Sequence, residues 1–287
     1  MTVRPRVLAI VGPTGTGKTE VACAVARRTG AEVIGADSMQ VYRGMDVGTA
    51  KPSPSLRVEV PHHLLDVVDP DDPMSAGRFA RLAREAASTI TAAGHPIVLC
   101  GGTGLYARAF AGGLIRGVGS DPVERRRLEA RPTEELRREL NESDPAAAGR
   151  IHENDRMRII RALEVQSISG RPISLSHAGH RFGDRPFDVR WLALDLERSL
   201  LWARLENRID RMFREGLVDE VRGLHAAGYG PELRPLRSIG YREVGLLLAG
   251  RLDEQTARES IFLATRRYAK RPRTWFRAEP EVRWLDG

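Results

Sequence analysis

The sequence predicts an α/β fold, a parallel sheet wrapped by helices and interrupted by an inserted helical subdomain. Three observations predict it. Short apolar runs rich in β-branched residues alternate with stretches of helical spacing in the first part of the chain, the pattern of a parallel sheet joined by crossover helices. The first of those runs enters a glycine-rich loop of fixed spacing. From about 121 to 188 the strand signals vanish and a charged, proline-punctuated helical block replaces them.

The first strand is expected over Val7–Val11, and it runs directly into Gly12, Pro13, Thr14, Gly15, Thr16, Gly17, Lys18 and Thr19. The spacing G-x-x-x-x-G-K-S/T is that of a phosphate-binding loop. Its glycines let the backbone aim several N–H groups at one anion, and the helix that follows adds its positive N-terminal end. Lys18 would add a point charge and Thr19 a hydroxyl for Mg²⁺. The helix Lys18–Thr29 places Val21, Ala24 and Val25 at helical spacing and stops at Gly30. Further strands are expected at Glu32–Ala36 and Pro96–Cys100, and a helix over Ser75–Ala93 opened by a Ser75 cap and closed by Gly94. With the loop at the carboxyl edge of the sheet, residues 1–120 and 189–287 are expected to form a P-loop nucleoside-triphosphate-hydrolase-like core that would carry the catalytic site. The block 121–188, punctuated by Pro122, Pro132, Pro145 and Pro172, reads as the inserted helical subdomain. A strand signal returns at WLALDL, 191–196, and Arg-rich helices follow it.

Composition narrows the function classes. The 287 residues are 41% hydrophobic, enough for one good core and a second small unit. Two cysteines, Cys23 and Cys100, offer neither a disulfide framework nor metal spacing, which suits a reducing compartment and a cytoplasmic location. The basic MTVRPR leads into an apolar run that ends at Val11, so it does not read as a signal peptide. No run approaches the ~20 apolar residues that span a bilayer. A net charge of +7 and an isoelectric point of about 10.0 favour a polyanionic partner such as nucleic acid. The stretch RRYAKRPRTWFR, 266–277, carries six basic residues, no acidic one, and Tyr268, Trp275 and Phe276 interleaved. It is either a phosphate-and-base surface or a basic helix with its aromatics turned inward. Lysine occurs only at Lys18, Lys51 and Lys270; at the first, a compact point charge suits a phosphate better than a planar fork.

The residues alone leave more than one chemistry open. In a nucleotide kinase or NTPase a carboxylate beside the loop helps hold Mg²⁺, but the strand PIVLC runs into Gly101, Gly102 and Thr103. Asp37, after EVIGA, and Asp195, in WLALD, are the substitutes. A kinase or an RNA-binding NTPase switch therefore stays in play beside a transferase. Asp37 begins a loop too long to be a simple connection. There it is placed either to accept a proton from a substrate nucleophile or, as Asp-Ser pairs do, to cap a turn. His62 and His63 would face opposite sides of a strand, and His177 and His180 lack spaced Cys or acidic partners, so neither pair reads as a metal site.

Seven segments in order resemble one family, the tRNA dimethylallyltransferases or isopentenyl transferases. They are GPTGTGKT at 12–19, DSMQVYRGMDVGTAKP at 37–52, PHHLLD at 61–66, GGTGLY at 101–106, NDRMRIIRALEV at 154–165, SIGYREV at 238–244 and YAKRPRTWFR at 268–277. The resemblance spans nearly the whole chain. It implies that the loop holds the diphosphate of dimethylallyl diphosphate where a kinase would hold ATP. The prenyl group would pass to the exocyclic amine of the adenosine 3′ of the anticodon, giving isopentenyladenosine and diphosphate. Asp37 matches the family's base for that weakly nucleophilic amine, and Thr103 the residue that hydrogen-bonds near the reacting centre. Lys18, the loop N–H groups and Mg²⁺ held partly by Thr19 would stabilise the leaving diphosphate, and Arg204 and Arg208, one helical turn apart, would clamp it. By the same match RNA would meet Asp37, Ser38, Met39, Gln40, Thr103, Arg125, Met157, Arg158, Ile159, Ile160, Arg161, Arg237, Ser238, Ile239, Gly240, Tyr241 and Arg242, with the target adenine drawn out of its stack. The insertion would grip the anticodon stem-loop, and its 14 basic and 13 acidic residues over 121–190 imply a local, shape-dependent grip. The implied partners are tRNA and dimethylallyl diphosphate, with no membrane, and the expected state is a monomer. The sequence departs from the family pattern at Met157, where Gln is frequent, at Pro272 inside a helical motif, and at Gly15-Thr16 in place of Ala-Ser.

Overall fold

The computed structural model describes residues 4–114, 119–175 and 183–286. Six strands, β1 (Arg6–Val11), β2 (Glu32–Gly35), β3 (His62–His63), β4 (Ile97–Gly101), β5 (Asp188–Asp195) and β6 (Val282–Asp286), form one sheet. Their order is β3-β2-β4-β1-β5-β6, and every adjacent pair is parallel. β4 is buried throughout and β1 nearly so, which is why both read as continuous apolar runs instead of alternating ones. At the edge, β6 alternates half-buried Val282 and Trp284 with exposed Arg283 and Leu285. Neither β6 nor β3 was anticipated from the sequence.

Helices α1 (Lys18–Thr29), α2 (Pro54–Glu59), α3 (Ala76–Ala92) and α4 (Gly104–Gly112) belong to the first half of this sheet. The cap chemistry holds as expected for α3: the Ser75 hydroxyl accepts from the Arg78 N–H, and Gly94 follows at φ +79°. One face of the sheet packs a large core that includes Phe79, Phe110, Tyr241 and Phe276; another core joins Ile10, Val33 and Val98 to Ala22, Cys23 and Ala26 of α1. Phe79 stacks on Tyr106 with ring centroids 4.3 Å apart, and truncating such a fully buried ring costs about 3–5 kcal/mol. His62 approaches Cys23 while His63 bonds Glu32, so the two side chains do diverge. Among the described residues there is no cluster of three or more His, Cys, Asp and Glu fit for a metal, and no helix long and apolar enough to cross a membrane. His177 and His180 lie outside the described residues.

The chain forms two compact units, residues 1–111 with 186–287, and residues 112–185. The second is helical: α5 (Pro122–Glu129), α6 (Thr133–Ser143), α7 (Pro145–Ala148) and α8 (Arg156–Ser169). Its prolines start helices instead of breaking them. Pro122 and Pro145 sit in the first turn behind the caps Asp121 and Asp144, and Pro132 is itself the cap of α6, positions where a missing N–H costs nothing. Leu128, Leu136, Leu140, Ile159, Ile160 and Leu163 form the unit's own core.

The last part of the first unit holds α9 (Arg198–Arg214), α10 (Leu217–Ala226), α11 (Tyr241–Leu248) and α12 (Glu254–Arg277). Pro272 lies inside α12 without ending it. Burial of Pro272 and Phe276 and the Arg273–Asp195 pair hold the helix on the sheet across the one internal hydrogen bond that proline removes.

Candidate active site

All six parallel strands run toward one edge, and the ends of β1, β2 and β4 bring the candidate residues together. Register pairs Val11 of β1 with Gly101 of β4, and Gly35 of β2 with Cys100 of β4. The loop that follows β1, the aspartate that follows β2 and the threonine that follows β4 therefore share the carboxyl edge, where ligands of open α/β sheets bind. In the loop, Gly12 has φ +133°, and a Cβ there would lie 2.4 Å from the Leu194 carbonyl oxygen, so only glycine fits. Gly15 and Gly17, at φ +85° and +87°, complete the turn into α1. The Thr16 hydroxyl donates to the Pro13 carbonyl at 2.9 Å, and Lys18 Nζ donates to the same oxygen at 2.5 Å. Burial lowers the Lys18 pKa from its ordinary value, the Cys100 thiol and the Asp37 carboxylate oppose that shift, and Arg208 adds to it.

Asp37 and Thr103 are tied to each other through backbone. Thr103 Oγ1 accepts the Ser38 N–H at 3.0 Å, and the Thr103 N–H donates to the Ala36 carbonyl at 3.1 Å. The approach is so close that a Cβ on Gly101 would sit 2.1 Å from Ala36 O. Asp37 Oδ1 accepts from the N–H groups of Met39 (2.8 Å) and Gln40 (3.4 Å), so the turn-capping reading is realised. Oδ2 accepts no hydrogen bond among the described residues, which leaves one oxygen of the same carboxylate for a second task. Asp37 lies close enough to Lys18, Arg208 and Tyr268 to act on their ionisation. The Tyr268 phenol, pushed up to about 12 by burial and then by Asp37, is a neighbour that the sequence marked only as one aromatic of the basic stretch 266–277.

Arg204 and Arg208 both reach the loop region from α9. A Cβ on Gly17 would lie 3.6 Å from Arg204 Nη1, and Arg208 Nη2 approaches the Thr49 carbonyl at 3.5 Å. Burial depresses the Arg208 pKa, and Asp37 opposes that; the guanidinium stays charged regardless. Asp195 is withdrawn from the site's chemistry. Its Oδ1 accepts from Arg273 Nη2 at 2.5 Å and from the Leu196 N–H at 2.9 Å. The Thr19 hydroxyl makes no hydrogen bond among the described residues. One hard hydroxyl with substrate oxygens and water suits Mg²⁺, which seldom takes a cage built from protein alone.

Of the residues expected to meet RNA, Ser38, Met39 and Gln40 are half-buried beside Asp37, while Met157, Arg158, Arg237 and Arg242 are exposed. Ser238 and Ile239 are half-buried, and Gly240, at φ +94°, starts α11. Ile159 (0%), Ile160 (1%) and Tyr241 (1%) are buried, the first two in the helical core and Tyr241 beneath the 37–52 loop, and Gly240 is buried as well, so the side chains of the first three pack against neighbouring residues. Arg125 and Arg161 divide their roles. Both bond Glu164, at 2.8 Å each, yet each keeps about a third of its side chain exposed. Burial alone would raise the Glu164 pKa; hydrogen bonds from Arg125, Arg161 and Ser120 hold it down, to about 2.

The segment 266–277 resolves toward the inward-aromatic reading. Phe276 is in the core, and Trp275 packs so tightly on Gly104 that a Cβ there would lie 2.4 Å from its ring, buttressing the residue next to Thr103. Its cations Arg266, Lys270, Arg273 and Arg277 line a groove with Arg198 and Trp202, where the Arg266 guanidinium stacks 3.7 Å from the Trp202 ring centroid. Lys51 is a structural cation: its buried Nζ donates to Tyr42 O (2.5 Å), Asp46 Oδ1 (2.7 Å) and Asp66 Oδ1 (2.5 Å).

Two family descriptions match the chain, IPP transferase over residues 40–279 and isopentenyl transferase over residues 5–61. A tRNA dimethylallyltransferase of Desulfosudis oleivorans is 47% identical over 287 residues, covering 99% of this chain and 91% of that relative. One of Geobacter sulfurreducens is also 47% identical, covering 99% and 92%. Among solved structures, the full-length tRNA isopentenylpyrophosphate transferase of Bacillus halodurans superposes with a TM-score of 0.73 at 38% identity, covering 99% of this chain and 90% of that one. A eukaryotic dimethylallyltransferase acting on tRNA superposes with a TM-score of 0.85 at 26% identity, covering 98% and 74%.

Proposed function

The chain belongs to the IPP transferase family, and from that premise we propose that it transfers a dimethylallyl group from dimethylallyl diphosphate to the exocyclic amine of the adenosine 3′-adjacent to the anticodon of tRNA, releasing diphosphate. The observation that carries the reading is the half-engaged carboxylate of Asp37, capped through Oδ1 and without a hydrogen bond at Oδ2 among the described residues, at the sheet edge that also holds the phosphate loop and Thr103. The bond between the allylic carbon and the diphosphate oxygen breaks, the bond from the adenine nitrogen to that carbon forms, and the amine proton passes to Asp37 Oδ2. Thr103 orients the amine. Negative charge gathers on the leaving diphosphate, and the loop N–H groups, Lys18, Arg204 and Arg208 stabilise it most where the charge is greatest. When bound, Mg²⁺ neutralises part of the same charge, and Thr19 is the residue that would hold it.

RNA binding is assigned to Asp37–Gln40, Thr103, Arg125, Met157, Arg158, Arg161, Arg237, Ser238, Ile239, Gly240 and Arg242, with the buried Ile159, Ile160 and Tyr241 supporting them and the helical unit gripping the anticodon stem-loop. A cytoplasmic location, which two buried free thiols fit, and a monomeric state are part of the same proposal. The kinase reading is not favoured, because the second strand-end carboxylate it needs, Asp195, is committed to Arg273. Incubation with dimethylallyl diphosphate, Mg²⁺ and unmodified tRNA, followed by mass analysis of the nucleosides, tests the proposal. Isopentenyladenosine is expected; phosphate transfer from ATP, or RNA-stimulated hydrolysis with unaltered RNA, would overturn it.

A further inference from the structure

We infer that Glu220 of α10 is a positioning residue for the transfer, because its carboxylate fixes the loop from which both the proposed base and one arm of the diphosphate clamp are held. The inference rests on the prenyl-transfer reading of the site. Glu220 Oε2 accepts the N–H groups of Asp46 (2.8 Å) and Val47 (2.7 Å). Oε1 accepts the Gly48 N–H (3.1 Å) and the Tyr241 hydroxyl (2.6 Å). Successive backbone N–H groups in a turn make a concavity for an anion, and here the anion is the protein's own. Four donors saturate a group that accepts about four hydrogen bonds and donates none.

The fixed residues lie next to two anchors. The Thr49 carbonyl accepts from Gln40 Nε2 at 3.1 Å and from Arg208 Nη2 at 3.5 Å, and the Ala50 carbonyl accepts from Gln40 Nε2 at 3.2 Å. Ala50 itself is held at φ +48°, a conformation that a residue with a side chain keeps only where its surroundings impose it. Gln40 closes the turn that Asp37 Oδ1 caps. One carboxylate therefore sets Thr49, Thr49 sets both Gln40 and Arg208, and those flank Asp37 and the diphosphate site. Tyr241 supports the same segment from below: a Cβ on Gly48 would lie 2.5 Å from its ring, which is why that position is glycine. Burial, and then the Glu220 charge, push the Tyr241 phenol far above its ordinary pKa, so it remains a donor at any working pH.

Glu220→Gln tests this, since an amide nitrogen presents hydrogens to two of the four donors. Amide exchange at 46–48 should accelerate, and the single-turnover rate should fall by about 10- to 100-fold, the scale of a displacement on the order of 1 Å at a reacting centre. Dissociation constants for tRNA should move less than that rate. Gly48→Ala should reproduce the defect by driving the segment off the Tyr241 ring, and Tyr241→Phe, which spares the three N–H bonds, should lose less than Glu220→Gln. A merely structural residue would lower the melting temperature and leave the rate per folded molecule intact. Wild-type turnover by folded Glu220→Gln, or by Gly48→Ala if the first variant does not fold, overturns the inference. If the wild type itself forms no isopentenyladenosine, the function reading fails; unchanged exchange at 46–48 in Glu220→Gln would instead refute the clasp alone.

Discussion

Replacing Asp37 by Asn separates the two jobs that one carboxylate is proposed to hold. The Asn side-chain oxygen can occupy the place of Oδ1 and keep accepting from Met39 and Gln40 at 2.8 and 3.4 Å, so the turn survives. Asn and Asp cap about equally well, whereas Ala in that place costs about 0.5–2 kcal/mol. The expected Tm of Asp37→Asn is therefore that of the wild type, and Asp37→Ala should melt about 2–4 °C lower per kcal/mol lost for a unit of this size. Rates should not follow that ranking. Neither substitute accepts a proton, and general base catalysis contributes about 10²–10⁴-fold, about 3–5 kcal/mol of barrier. Both variants should show that loss in single-turnover conversion of unmodified tRNA, read by nucleoside mass analysis. Affinity for dimethylallyl diphosphate should hold or tighten, because removing a carboxylate beside Lys18 and Arg208 leaves more positive field for the anion. A wild-type rate in Asp37→Asn with a defect only in Asp37→Ala would refute the base and leave the cap as Asp37's whole contribution.

Lys18→Ala should raise the dimethylallyl diphosphate concentration needed for half-maximal rate and lower the maximal rate as well, since Lys18 stabilises charge that grows as the leaving group departs; unchanged steady-state kinetics would remove it from the site. Arg161→Ala should weaken tRNA binding while sparing dimethylallyl diphosphate. Its fold penalty should stay on the order of 1–3 kcal/mol, because Glu164 keeps Arg125 and Ser120. The tRNA affinity of the wild type should fall steadily with salt as phosphate contacts release counterions, and a filter-binding series flat from low to high salt would count against these surfaces. Glu164, at about 2 in the folded chain against an ordinary 4.5, contributes stability that is fully present above the unfolded value and is lost as pH falls through the folded one, about 3 kcal/mol in all. Acid unfolding followed by circular dichroism should shift in Glu164→Gln, and an identical acid profile would show the pair to be energetically idle.

The phosphate loop, the parallel sheet and the caps of α1 and α3 were legible because each is local: a spacing, a β-branched run, a Ser or Gly at a helix end. The two edge strands were not, since a two-residue pair such as His62–His63 becomes a strand only when β2 offers it partners. The same limit governs the site. A resemblance named Asp37, Thr103, Arg204 and Arg208, which the fold brings near the phosphate loop, and it also named Ile159, Ile160 and Tyr241, which are buried, because it carried whole segments across. Burial within a segment depends on what packs over it, and helical spacing in a mixed apolar and basic stretch such as RMRIIRALEV does not say which face that is. Lys51 was flagged only by the rarity of lysine. Its buried contacts with Tyr42, Asp46 and Asp66 reach as far as 15 positions along the chain from Lys51, which no short pattern displays.

The sheet edge also bears on how a phosphate loop would serve carbon transfer. A kinase of this architecture places a carboxylate at a strand end beside the loop to hold Mg²⁺. The end of β4 has no room for any side chain at Gly101, since a Cβ would sit 2.1 Å from Ala36 O, and one at Gly102 would lie 3.3 Å from Gly12 O. That closeness is what brings the Thr103 hydroxyl onto the Ser38 N–H and so draws the Asp37 turn against the loop. Restoring a kinase-like carboxylate at 101 would force β2 and β4 apart and dismantle the Asp37–Thr103 pairing. With Asp195 bound to Arg273, Asp37 is the strand-end carboxylate proposed for proton transfer, and the anion is left to cations and backbone N–H groups. On the proposed reading, that division of charge suits a diphosphate that departs whole, with Thr19 as the protein's contribution to an Mg²⁺ site in place of the strand-end carboxylate a kinase adds.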